Sequence, residues 1–94
     1  MISVVASLPV KDGQQAEFEA AAKALAAAVN ANEPGCHYYA FHRSDDPCVY
    51  VAVERYEDMD AVENHRNSAH FKELGAAMGP HMAGRPEVQR LEEI

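Results

Sequence analysis

Apolar and polar residues recur along this chain in two distinct periods, and the switch between them marks out the elements. Ile2 to Leu8 reads Ile-Ser-Val-Val-Ala-Ser-Leu, a β-prone run of strand length that stops at Pro9. The next stretch is rich in Ala, with Phe18, Ala22, Leu25 and Val29 spaced four, three and four apart. That spacing places one apolar stripe on a helix from about Gly13 to Asn32. Asp12 with Gln15 three positions on resembles a capping box at its start. Glu33-Pro34-Gly35 ends it, because Pro cannot continue the hydrogen-bond ladder and Gly tolerates positive φ. Cys36 to Arg43 and Cys48 to Tyr56 are rich in aromatic and β-branched residues, and Ser44-Asp45-Asp46-Pro47 between them is turn chemistry, so the two form an antiparallel hairpin. Asp58 caps a second helix on which Ala61, Val62 and His65 share a face. Ser68 caps a third segment carrying Phe71, Leu74 and Met78, which Gly79-Pro80 interrupts. Glu87 to Ile94 has an ambiguous period and is assigned as a fourth strand from the overall order.

That order, β-α-β-β-α-β, is the ferredoxin-like arrangement: an α+β fold with two helices on one face of a four-stranded antiparallel sheet. Ninety-four residues suit a single domain, residues 1–94, with a small core. The other face of such a sheet needs cover, and a second copy of the chain is the simplest cover, which predicts a homodimer. Eight Lys and Arg against fifteen Asp and Glu leave a net charge of −7. That balance repels phosphate backbones and anionic lipid, so neither nucleic acid nor a membrane surface is expected as a partner. No apolar run approaches a membrane span and no signal-peptide pattern opens the chain, which reads as cytoplasmic. Two cysteines make no disulfide scaffold, and P-loop, dinucleotide-binding and nucleophile-elbow motifs are missing.

If Ser44 to Pro47 form the whole loop, Arg43 faces Cys48, and the hairpin register follows. One face then collects His37, Tyr39 and Phe41 with Tyr50, Ala52 and Glu54, and Tyr56 just beyond. Cys36 and Cys48 fall at opposite ends of the hairpin, too far apart for a disulfide. His65 continues the apolar face of the second helix and points at the sheet. The plain reading is a core histidine satisfied by one hydrogen bond. Glu54 in mid-strand shifts the balance, since a buried carboxylate without a partner costs several kcal/mol and His37 or His65 could supply the donor. A carboxylate beside an imidazole orients its ring and prepares a general acid or base. Three tyrosines on the same side, with Phe41 and Phe71, are either core or the walls of a cavity suited to a flat, partly polar small molecule. A metal is not expected: His65 and His70, five apart on one continuous helix, would diverge by about 140°, and HExxH is absent.

Glu33-Pro-Gly-Cys-His-Tyr-Tyr, Val53-Glu-Arg-Tyr-Glu-Asp and His65-Arg-Asn-Ser-Ala-His-Phe together resemble the antibiotic biosynthesis monooxygenase family of dimeric α+β barrel proteins, over essentially the whole chain. The resemblance implies two sheets packed back to back as a barrel, and a pocket between sheet and helices in each subunit. It carries motif positions onto Tyr39, Glu54, Tyr56, His65, His70 and Phe71. Family members include quinol and anthrone monooxygenases that use dioxygen without metal or flavin, haem-degrading enzymes and a phospho-autoinducer isomerase. The haem-degrading pattern of a first-strand Asn, a helix Trp and a later His meets Ala6, His65 and Gly75 here, and Tyr56 stands where many relatives have Trp. The resemblance therefore implies a cofactor-independent monooxygenase acting on a quinol, anthrone or related phenolic molecule. His65 is its candidate base with Glu54 orienting it, and His37, Tyr39, Tyr50, Tyr56, His70 and Phe71 hold the substrate. The same pair would serve an isomerase moving a proton beside a carbonyl, and a dimeric ligand-binding or stress protein without catalysis is the third reading.

Overall fold

One of the two inner strands of the sheet is β1, Ile2–Pro9, whose strict alternation sends Ile2, Val4, Ala6 and Leu8 into the core and leaves Ser3, Val5 and Ser7 half-buried on the other face. In this computed structural model, which describes residues 1–94, β1 is followed by α1 (Gln15–Asn32), β2 (Cys36–Arg43), β3 (Val49–Tyr56), α2 (Met59–Asn67), α3 (Ala69–Met78), a single 3₁₀ turn (Gly79–His81) and β4 (Glu87–Glu92). The sheet order is β2-β3-β1-β4 with every pair antiparallel, and the helices lie on one face. This is the ferredoxin-like α+β arrangement the element order predicts.

The apolar stripe of α1 is the one the spacing predicts: Phe18, Ala22, Leu25 and Val29 are its buried residues, and three of them are completely inaccessible. Burial of each larger side chain is worth roughly 1.5–3 kcal/mol. The start of α1 differs from expectation. Gln15 and Asp12 do pair, at 3.2 Å, but the N-cap is Gln14 and no side chain caps it; Gln15 instead turns back to accept from the Gly13 amide at 2.8 Å. Asp58 and Ser68 cap α2 and α3 as expected, accepting from the Ala61 and Phe71 amides.

The hairpin register is two residues off the predicted one: Arg43 faces Tyr50, not Cys48. Asp46 causes this, because its carboxylate accepts from the Cys48 amide at 2.9 Å and its carbonyl from the Val49 amide at 3.0 Å, drawing Cys48 into the turn. A shift of two keeps the faces, so Tyr39 and Phe41 still share a face with Tyr50, Ala52 and Glu54. His37 is the exception. A bulge between Cys36 and Tyr38 turns Cys36 to the core and leaves His37 outside, paired with Glu57 at 3.3 Å.

Gly35 is needed for a reason other than positive φ, which among the glycines only Gly13 adopts. A Cβ on Gly35 would sit 2.8 Å from the Ala61 Cβ, so the turn after α1 packs directly on the first turn of α2. Gly35→Ala should therefore push α2 outward and cost about 1–3 kcal/mol in urea unfolding. Ala61→Gly placed in the same chain should recover part of that loss, so the two changes should be markedly non-additive in a double-mutant cycle.

Candidate active site

Between the sheet, α2 and α3, and the segment leading into β4, lies a cleft of ≈ 1090 Å³. Its floor is Val4, Ala6, Ala52 and Glu54, and its helical wall includes Val62, His65 and Phe71. Apolar residues form most of this lining, as in typical small-molecule sites. Tyr39 and Tyr56 also reach it from β2 and β3.

His65 is held from behind. Its Nδ1 donates to the Glu33 carboxylate at 2.9 Å, while the ring sits among Phe71, Tyr39 and Tyr56 at centroid separations of 4.5, 5.1 and 5.6 Å. Nε2 has no protein partner, and the ring lines the cleft. Burial lowers the His65 pKa, and the Glu33 carboxylate only partly opposes this. The imidazole is thus neutral near pH 7, with its proton fixed on Nδ1 by the carboxylate and a bare Nε2 available as a base.

Glu33, which by sequence belongs to the turn that ends α1, is the acid that holds the site's histidines. It is the C-cap of α1, and at a helix C-terminus the macrodipole disfavours an acid. That misplaced charge was the available signal. Two histidines offset it: His70 also bonds Glu33, through Nε2. The argument that His65 and His70 diverge holds for a continuous helix, but Ser68 interrupts it. With φ −69° and ψ 146°, Ser68 ends α2 and caps α3, so both rings come round to one carboxylate. The three groups place ligand atoms within 4.8 Å of one another. Two imidazoles and a carboxylate suit a divalent transition metal as well as shared protons, and here one nitrogen of each ring is hydrogen-bonded to the acid.

Glu54 contacts neither His37 nor His65. Its partner is Tyr56, whose hydroxyl donates to Oε1 at 2.5 Å, so the donor that a mid-strand acid requires comes from its own strand, two residues away on the same face. Burial pushes the Glu54 carboxyl up to about 7, against the lowering effect of that hydrogen bond and helped by the nearby Glu33 charge. Burial likewise raises Tyr39 and Tyr56, keeping both phenols protonated, and pushes the Cys36 thiol up to about 11, so it carries no thiolate at neutral pH. The Tyr39 hydroxyl has no protein partner and is free for a ligand.

The structure thus gathers His65, Glu54, Tyr39, Tyr56 and Phe71 around one cleft. His70 stands behind it on Glu33, and His37 lies outside, for the reason of the bulge. Tyr50 belongs elsewhere: its hydroxyl donates to Glu19 at 2.5 Å, and Arg43 clasps the same carboxylate at 2.8 and 2.9 Å. Tyr50 lines a second, smaller cavity of ≈ 550 Å³ between α1 and the hairpin. It shares a sheet face with Tyr39 but sits at the far end of β3.

A four-stranded antiparallel sheet with its helices on one face, and an acid-oriented histidine in the cleft between them, places the chain among the ferredoxin-like α+β proteins. The chain belongs to the antibiotic biosynthesis monooxygenase family, whose sequence profile matches residues 1–77. It is similar to a crystal structure from Caulobacter crescentus CB15 described as a "putative antibiotic biosynthesis monooxygenase", at 47% identity and TM-score 0.95, covering 99% of this chain and 89% of that one. A protein of the same description from Bordetella bronchiseptica shares 34% identity with TM-score 0.83, covering 99% and 96%. The Bacillus subtilis (strain 168) protein named "Putative monooxygenase YcnE" is 29% identical over 93 residues, 98% of this chain and 97% of that protein.

The raised Glu54 carboxyl has a consequence for stability. Its folded pKa of about 7 lies above the ordinary 4.5, so the folded state resists ionisation, and stability is lost as pH rises from 4.5 to 7. At about 1.4 kcal/mol per pH unit this amounts to about 3 kcal/mol. Glu54→Gln, which has no charge to bury, should gain on the wild type by up to that amount between pH 4.5 and 8 in chemical denaturation.

Proposed function

We propose that this protein is a cofactor-independent monooxygenase acting on a small phenolic molecule of the quinol or anthrone type, with His65 as the base. The observation that carries the reading is the bare Nε2 of a neutral, buried imidazole, backed by Glu33 and facing a largely apolar cleft. Such a base takes a proton from the substrate hydroxyl or from the carbon beside its carbonyl. The resulting electron-rich anion is itself the reductant: it passes an electron to dioxygen, and the two radicals join as a peroxide on ring carbon. His65 passes its proton to the peroxide and then takes up, as a proton, the hydrogen remaining on that carbon; the O–O bond breaks as the new carbonyl forms, and the departing hydroxide receives the proton back from His65. One oxygen atom thus ends in the product and the other in water, and the cycle closes with no external electron donor. The carboxylate of Glu33 stabilises the imidazolium while it exists. The free hydroxyl of Tyr39 and the carboxyl of Glu54, which burial raises to about 7, hydrogen-bond substrate oxygens in this reading, while Phe71 packs against the ring.

The outer face of the sheet supports pairing with a second copy. Val5, Val49, Val51 and Val53 are half-buried there with no helix above them, and Leu91 on β4 is 45% exposed. The Arg55 Nε on the same face is buried without a hydrogen-bond partner, a deficit that a facing chain can satisfy.

Oxygen uptake with a panel of hydroquinones and anthrones, corrected for spontaneous oxidation, tests the catalytic reading. His65→Ala, with its circular dichroism unchanged, should lose at least ~100-fold in rate. Activity in the wild type should fall as acid protonates Nε2, with the midpoint below the ordinary histidine value of 6.5. Glu33→Gln, which can still accept from Nδ1 but carries no charge, should cost about tenfold. Proton exchange into a carbonyl substrate without any oxygen uptake would replace the oxygenase by an isomerase. Ligand-raised melting temperatures with neither reaction would leave a binding protein.

A further inference from the structure

The cations of this chain are unevenly placed. It has eight Lys and Arg against fifteen Asp and Glu, yet four of the eight, Arg66, Lys72, Arg85 and Arg90, line the His65 cleft. At the chain's average composition the 25 lining residues would hold about two cations and four acids. They hold four cations and one acid, Glu54. The four come from separate parts of the fold. Arg66 is in the last turn of α2, Lys72 in the first turn of α3, Arg85 in the segment before β4, and Arg90 on β4 opposite Val4. Because Val4 faces the core, Arg90 stands on the helix side of the sheet, over the cleft.

None of the four is engaged in the protein. Arg43 is clasped by Glu19 and Arg55 by Glu93, whereas Arg66, Lys72, Arg85 and Arg90 form no ion pair and no side-chain hydrogen bond. All four are solvent-exposed, while Val4, Ala6, Ala52 and Glu54 beneath them are buried, so the cleft has an apolar interior and a cationic rim. Low-dielectric walls focus the field of such a rim, and the net charge of −7 keeps anions off the rest of the surface.

We propose that the cleft takes an anionic ligand: a flat, apolar ring system bearing an ionised acidic group, with the rings inside against Phe71 and the acidic group at the rim among Arg66, Lys72, Arg85 and Arg90. This rests on the reading above in taking the cleft as the substrate site, and it narrows the substrate to acid-bearing phenols. The rim selects the ligand by charge, and the apolar interior positions its phenol at His65.

Fluorescence titration of the wild-type protein with 2-naphthol, 6-hydroxy-2-naphthoate and 6-hydroxy-2-naphthyl phosphate tests it, since the three share one phenolic ring system and differ in the acid. At 20 mM NaCl at least one of the two anions should bind ten times or more tighter than 2-naphthol, and which one does identifies the acid as carboxylate or phosphate. Raising NaCl to 300 mM should weaken the anion severalfold and leave 2-naphthol unchanged. The exposed double variant Arg85→Gln/Arg90→Gln should lose most of the preference at unchanged 2-naphthol affinity, while Lys23→Gln, outside the cleft, should keep it. Equal binding of all three probes, no binding of any, or a preference that survives replacing all four cations by Gln would overturn the inference. Oxygen uptake on the same proteins separates the two readings. Uptake from uncharged hydroquinones with no anion preference sinks the charge inference and leaves the oxygenase standing; anion preference with no uptake from any phenol does the reverse.

Discussion

One carboxylate ties the helical layer together at the site. Glu33 closes α1, and its side chain receives His65 from α2 and His70 from α3, so three helices meet on a single acid. An acid at the C-terminal end of a helix works against the peptide dipoles, and two imidazole donors reverse that penalty. The same contact decides which ring nitrogen of His65 carries the proton and therefore which one is left bare toward the cleft.

The surroundings depend on that arrangement being held close. Gly35, two residues after Glu33, lets the turn lie against Ala61, and Asp58 caps the helix that carries both Ala61 and His65. A bulkier turn would lift α2 and move the imidazole away from its acid. The break at Ser68 serves the same end from the other side, because only a fresh helix start can bring His70 back toward Glu33. Beneath them the sheet contributes a second, separate acid. Glu54 is satisfied by Tyr56 in its own strand, and burial raises its carboxyl to about 7, so near neutral pH it exists partly as the uncharged acid. The two carboxyl groups of the site thus have different surroundings, Glu33 receiving two imidazoles and Glu54 resting on a largely apolar floor.

The apolar interior and the charged rim come from different levels of the chain. The interior follows from alternation on β1 and β3, which any half-buried sheet requires. The rim collects residues from α2, α3, the segment before β4 and β4 itself, in a molecule whose surface is otherwise acidic. No helix covers the helix-side face of β4, where Val88 is 64% exposed, and this opening makes a cleft where packed side chains would otherwise close the core.

Much of the architecture was legible in the order of residues, because it rests on periods and local chemistry. The stripe Phe18, Ala22, Leu25, Val29, the caps Asp58 and Ser68, and the face shared by Tyr39, Phe41 and Glu54 all follow from spacings of three, four and two. The inward placement of His65 followed from the same rule. What spacing could not decide were the points where the chain departs from a regular period or meets itself from far away. Asp46 drew two more residues into the hairpin turn, the bulge beside Cys36 expelled His37, and Ser68 bent two histidines back together. Pairing of Glu33 with His65 spans 32 positions and of Glu33 with His70 spans 37, distances over which no local rule operates. Which acid faces which base was settled only when α1, α2 and α3 packed on the sheet, since contact between distant residues is a property of the packed whole.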